Sequence, residues 1–207
     1  MSEKGCGSDG LRPSHHVARL TFPWFAIVIT LTTASTVTAQ QRYVRAEENQ
    51  NHELVITTST GERIVLARGR DRVNAEDQES FGGIAISPDG MAIGWLAYYP
   101  NCCTSYPIPT KVEVYSGGQR RSFDPAIAAW DWCFVDGSAR IAALSTPVHG
   151  PQNQILELWD IATGVLREDF TWIEDKEYPR APAWVVALRS ENSKARESKT
   201  HFCSTKQ

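Results

Sequence analysis

Ile84-Ala85-Ile86-Ser87-Pro88-Asp89-Gly90, running on into Met91-Ala92-Ile93-Gly94-Trp95-Leu96-Ala97, is the stretch on which the fold turns. Ile84 and Ile86 alternate with Ala85. After the turn, Ile93, Trp95 and Ala97 alternate with Gly94 and Leu96. A period of two puts successive side chains on opposite faces of a strand. Between the two runs, Pro88 presets φ for the second turn position, Asp89 suits the third, and Gly90 accepts positive φ. Further on, Lys111-Val112-Glu113-Val114-Tyr115 carries charge on one face and valine on the other, and Gly117-Gly118 turns it back into Gln119 to Phe123. Phe81 to Phe123 therefore predicts one four-stranded antiparallel meander.

The same order returns roughly 46 residues later. Trp130-Asp131-Trp132-Cys133-Phe134-Val135 leads through Asp136-Gly137 into Arg140 to Leu144. Gln154 to Trp159 and Val165 to Phe170 then flank Asp160-Ile161-Ala162-Thr163-Gly164. In the opening strand, alternation groups Trp130, Trp132 and Phe134 on one face and Asp131, Cys133 and Val135 on the other. Self-similarity at a fixed spacing points to a repeat architecture.

Around these two meanders the chain predicts a hairpin, His52 to Thr58 and Arg63 to Ala67, across Ser59-Thr60-Gly61-Glu62. Arg68 to Ser80 is charge-rich without an apolar period and predicts a surface loop. Ala183-Trp184-Val185-Val186-Ala187-Leu188 predicts a last short strand. Residues 40–51 are polar and predict a flexible lead-in. Residues 189–207 hold too little apolar surface to offset ordering entropy and predict a disordered tail. About eleven short strands and no amphipathic helix give an all-β domain over residues 52–188.

The Ser-Pro-Asp-Gly core of Ile84 to Trp95 resembles bacterial WD-like repeats of the TolB-type β-propeller. Leu158-Trp159-Asp160-Ile161-Ala162-Thr163-Gly164 is similar to the third-strand ending of WD repeats. The resemblance implies propeller blades, export, and a platform for partners in place of catalysis. Two departures stand out: the Gly-His opening of many WD repeats is absent, and the second copy of the turn is reduced to Val135-Asp136-Gly137. Antiparallel four-stranded meanders of this kind are blade-like, but two blades, a hairpin and a strand are too few for a closed propeller of at least about four blades. The expectation is a reduced monomeric domain, with a partial propeller completed by oligomerisation as the alternative.

Lys4, Arg12 and Arg19 precede an uncharged run from Leu20 to Ala39 with an apolar heart at Phe22 to Ile29, closing on Val37-Thr38-Ala39. Basic, apolar and small residues in that order predict a signal peptide over residues 1–39, with an uncleaved anchor as the alternative. The expected location is periplasmic or secreted, with no membrane span after cleavage. The chain has 207 residues and a formal charge of −3. Without residues 1–39 it keeps 18 Lys+Arg against 22 Asp+Glu, a charge of −4 that gives nucleic acid no basic field.

Tyr98-Tyr99-Pro100-Asn101-Cys102-Cys103-Thr104-Ser105-Tyr106-Pro107-Ile108-Pro109 joins the second and third strands of the first meander. Loops on a rigid β scaffold carry binding function, and tyrosine offers contact area with a polar tip. His149 sits in the matching loop of the second meander. If the two loops share a rim, Tyr98, Tyr99, Tyr106 and His149 form a surface for a protein or envelope ligand; the competing reading is an internally packed, proline-stiffened loop. Cys102, Cys103 and Cys133 are the disulfide candidates, with a bridge from Cys102 or Cys103 to Cys133 preferred and Cys203 free or paired with the one left over. No catalytic motif, no metal-ligand spacing and no cofactor fingerprint stands in the sequence. A small secreted hydrolase or thiol-redox protein is the enzymatic alternative, and a structural envelope component the third. Glu174, Asp175 and Glu177 read as a solvated loop.

Overall fold

The computed structural model describes residues 41–70, 76–102, 104–149, 153–173 and 180–188. The segment read as a signal peptide, the acidic loop at 174–177 and the tail at 189–207 lie outside these. The described chain is all-β, with three antiparallel sheets, none of them closed into a barrel. The first sheet has the order β1 (Tyr43–Glu48), β2 (Leu54–Thr58), β3 (Arg63–Leu66). The second runs β4 (Ser80–Ile86), β5 (Ala92–Tyr99), β6 (Ile108–Ser116), β7 (Gln119–Phe123). The third runs β8 (Ala129–Val135), β9 (Arg140–Ser145), β10 (Gln154–Asp160), β11 (Leu166–Trp172). Both four-stranded sheets are thus meanders in chain order, as alternation and turn chemistry predicted.

The sheets are layered by their alternating faces. Leu54 and Ile56 of β2 meet Ile93, Trp95 and Ala97 of β5 between the first and second sheets. Leu96, Val112 and Val114 meet Trp132, Phe134, Ile141 and Ala143 between the second and third. The far face of the third sheet presents Cys133, Val135, Ala142, Leu144, Leu156 and Leu158. Strand β5 of the second sheet therefore buries both faces, which is why Ala92 to Tyr99 reads as a nearly continuous apolar run.

Three expectations are corrected. Tyr43–Glu48, inside the polar stretch read as a lead-in, is strand β1, paired antiparallel with β2. An edge strand needs few apolar residues: Tyr43 and Ala46 pack inward, while Val44 is exposed. Residues 183–188 are not a strand but a short helix, α1. Pro182 opens it, accepting hydrogen bonds from the amides of Val185 (3.0 Å) and Val186 (3.2 Å). Trp184, Val185 and Leu188 then fall on one helical face and cover the third sheet, while Val186 is exposed. Docking of that face outweighs the β preference of two adjacent valines. Finally, a bulge between Ala129 and Asp131 breaks the alternation of β8, so Trp130 leaves the face it would share with Trp132 and Phe134 and turns outward.

The turns at one end of the layers clasp each other. Asp89 accepts hydrogen bonds from Ser87 Oγ (2.6 Å) and the Met91 amide (3.0 Å) through Oδ1. Its Oδ2 crosses to the next sheet and accepts from Ser138 Oγ (2.7 Å) and the Ser138 amide (3.1 Å). Burial pushes the Asp89 carboxyl up, but the four donors from Ser138, Ser87 and Met91 outweigh it and hold the group below the usual carboxylate range. A depressed folded-state value means the clasp is fully present above the unfolded value, about pH 4, and is lost as pH falls through the folded one. Asp89→Ala is expected to cost about 1–2 kcal/mol near neutral pH. Urea unfolding should show this gap narrowing on acidification below about pH 4, and a gap independent of pH would remove the charge from the explanation.

Candidate functional site

The Asp89–Ser138 clasp sets the β4–β5 turn beside the β8–β9 turn. Strands β5 and β9 both run away from those turns, so the β5–β6 and β9–β10 loops leave the opposite end together. The first sheet is oriented the same way. The Tyr43 amide donates to the Gly90 carbonyl (2.8 Å), which fixes the start of β1 at the clasped end and carries the β1–β2 turn to the loop end. Three connections, one from each layer, therefore share a rim.

On the first layer the rim holds a polar cleft of about 310 Å³ between Asn51, His52 and Glu53 of the β1–β2 turn and Ala67, Arg68 and Gly69 after β3. His52 has a φ of 56°, in the left-handed region, and its imidazole meets the Glu48 carboxylate at 2.6 Å. One buried network holds the far wall. Arg120 donates from its guanidinium to Glu113 (2.7 Å), to the Ala67 carbonyl (2.8 Å) and to Gln78 Oε1 (3.0 Å). Gln78, fully buried, also accepts from the Gly69 amide (3.0 Å) and donates to the Ser80 carbonyl (2.9 Å). The segment after β3 is thereby tied to the second sheet.

On the second layer the three tyrosines separate. Tyr98 points toward the third sheet, its half-buried ring lying over Gly82, where a Cβ would come within 2.5 Å of it. Tyr99 points the other way, into the core shared with the first sheet, and is 2 % exposed. Only Tyr106 stands out, 52 % exposed. Its carbonyl accepts from Asn101 Nδ2 (3.1 Å) and Thr104 Oγ1 (2.5 Å), which tightens residues 101–106 into a turn. Tyr99 is thus a packing residue, Tyr98 an intermediate one, and Tyr106 the side chain offered to solvent. Alternation along Ala97-Tyr98-Tyr99 could have separated the first two.

On the third layer His149 is exposed. At the start of β8 the bulge delivers Trp130, 38 % exposed, with Nε1 donating to the Thr146 carbonyl at 3.1 Å. No periodicity in the sequence marks Trp130 as a rim residue. Inside the same layer Glu157 is nearly buried; burial raises its carboxyl above the ordinary range, against the lowering hydrogen bond from the Ala126 amide (3.1 Å), and the nearby Asp169 charge adds to the rise. Cys102 is exposed at the second-layer turn. Cys133 is 2 % exposed on the far face of the third sheet, among Trp184, Val185 and Leu188. Cys103 and Cys203 lie outside the described residues. No group of three metal-ligating side chains converges among the described residues. No family model matches the chain, and neither a curated protein nor a solved structure is similar to it.

Proposed function

We propose that this chain is an exported β-repeat binding module of WD-like blades, periplasmic or secreted, that holds a protein or envelope ligand on its loop rim. The observation that carries the reading is the clasp between Asp89 and Ser138, because it sends the loops of successive layers out at one end. What they offer there suits recognition: Tyr106 and Trp130 supply large amphipathic surface, His149 a polar tip, and the cleft beside His52 a recess. The meander order shared by the second and third sheets supports the likeness to blades.

The test is capture from the envelope fraction of the native host with the purified chain as bait. Replacing Tyr106, Trp130 and His149 together by alanine should reduce recovery of the bound species at least tenfold, with the melting temperature held within a few degrees, since hot-spot aromatics each contribute about 2 kcal/mol or more. Equal recovery by the triple variant would take the binding surface away from this rim.

A further inference from the structure

We infer that the cleft beside His52 is a carboxylate subsite, with the Arg68 guanidinium as the group that receives the anion. The inference rests on the reading of the rim as a binding surface and names the chemistry that one part of it takes. The walls of the cleft are fixed before any ligand arrives. In the β1–β2 turn, Asn49 Oδ1 accepts from the amides of Asn51 (2.8 Å) and Glu53 (3.0 Å), and the Asn49 carbonyl accepts from the His52 amide (3.0 Å). Across the cleft, the backbone on both sides of Arg68 is tied down. Arg120 donates to the Ala67 carbonyl, the Gly69 amide donates to Gln78 Oε1, and the Gln78 amide donates to the Gly69 carbonyl at 2.8 Å. A ligand entering here would not have to order either wall.

Charge in the cleft is matched group by group except at one place. Glu53 accepts from Asn49 Nδ2 (2.9 Å). Glu48 meets the His52 ring at Nδ1 (2.6 Å), which leaves Nε2 as the ring nitrogen for a ligand. Asp77 faces Arg70, with Nε to Oδ1 at 3.8 Å, and the two residues share a β-bridge. Arg68 lines the same recess and is exposed, and its guanidinium has no hydrogen bond or ion pair among the described residues. A guanidinium presents its donors in a planar fork, which a carboxylate meets with two parallel bonds. Phosphate suits the site less. It carries nearly two charges at neutral pH, and Glu53 and Asp77 in the lining would repel both against a single unpaired cation. A recess of about 310 Å³ has room for an acidic side chain or one sugar acid, and a carboxylate is what the two share.

The test is a titration of the full, isotope-labelled chain followed by amide NMR. One arm uses glutamate blocked at its backbone amine and carboxyl, standing for the acidic side chain of a protein ligand. A second arm uses galacturonate, standing for an envelope glycan, and a third uses inorganic phosphate. The amides of Asn51, Glu53 and Gly69 are expected to shift saturably with a carboxylate, with a Kd of roughly 1–10 mM for a probe of about a dozen heavy atoms. The tighter of the two carboxylates identifies the source. Arg68→Gln should weaken that binding at least about tenfold with Tm unchanged, because the charged hydrogen bonds go and the exposed stem stays. Arg63→Gln, an exposed charge of the same sheet outside the cleft, should leave it unchanged. No saturable shift with either carboxylate up to about 50 mM, phosphate binding as tightly, or equal losses in the two variants overturns the proposal. The variant lacking Tyr106, Trp130 and His149 keeps the cleft and should titrate like the wild type. Capture from the envelope fraction then separates the two readings: an Arg68→Gln bait that recovers as much as the wild type overturns the subsite alone, whereas loss of recovery supports it.

Discussion

Replacing Trp132 by alanine is expected to cost roughly 3–5 kcal/mol, as for large aromatic side chains truncated in well-packed cores. Trp132 is fully buried between the second and third sheets, edge-on to Phe134 with ring centroids 5.0 Å apart. Its Nε1 donates to the Gly83 carbonyl at 3.1 Å, so truncation also withdraws a partner from a backbone group between layers. The seat for the ring is Gly94, where any Cβ would overlap the six-membered ring of Trp132. Gly94→Ala should therefore be destabilising in its own right, with the sheets forced apart or the indole turned off its rotamer. The two changes should not add, because the space vacated in Trp132→Ala accommodates the new methyl group. The double variant is expected to be at least about 1 kcal/mol more stable than the sum of the singles predicts. Urea unfolding of the three variants checks this, and Val186→Ala, on an exposed side chain, serves as the control within about 0.5 kcal/mol. Strict additivity would mean that Trp132 and Gly94 do not meet.

The contrast between Gly94 and Trp130 shows what the sequence could disclose. Ser87-Pro88-Asp89-Gly90 is legible because each residue has a local task, and Gly90 adopts the positive φ, 73°, that the turn requires. The alternation of Ile93, Trp95 and Ala97 is legible because a strand's faces are fixed by period alone. What Asp89 does with its second oxygen depends on Ser138, 49 residues away, and no local pattern encodes it. The β8 bulge is equally silent: one extra residue inverts the fate of Trp130, and a tryptophan two residues before Trp132 and four before Phe134 reads as core. Strand β1 and helix α1 were missed for one shared reason. Each is short and marginal by composition, and each is decided by the sheet it docks on. The rim followed the same division. Tyr106 and His149 were recognisable as loop residues, whereas the cleft near His52 exists only because Arg120 and Gln78, distant in sequence, pin the segment after β3.

That pin is where the second large effect is expected. Arg120→Ala should cost about 3–5 kcal/mol, the usual consequence of removing one member of a buried ion pair. The Glu113 carboxylate is 5 % exposed, and without the guanidinium it keeps the Ser122 hydroxyl as a donor, at a long 3.3 Å. Arg120 also lies over the Trp95 ring, 5.2 Å from its centroid, so its stem and planar head contribute packing as well as charge. If the loss comes from the stranded carboxylate, neutralising it should restore stability. Arg120→Met with Glu113→Gln is expected to recover more than half of the deficit in denaturant unfolding, because a neutral pair of similar volume carries no ionic desolvation penalty. If the double variant is no more stable than Arg120→Ala, the deficit lies in the bonds to Ala67 and Gln78. The two causes also separate at the rim. Met cannot replace the hydrogen bonds that hold the Ala67–Gly69 wall of the cleft, so the double variant should regain more than half of the lost stability and still show faster amide exchange at Gly69. Stability and the shape of the recess would then be set by different groups of one side-chain cluster: the charge of Arg120 by Glu113, and the position of the wall by its two remaining donors.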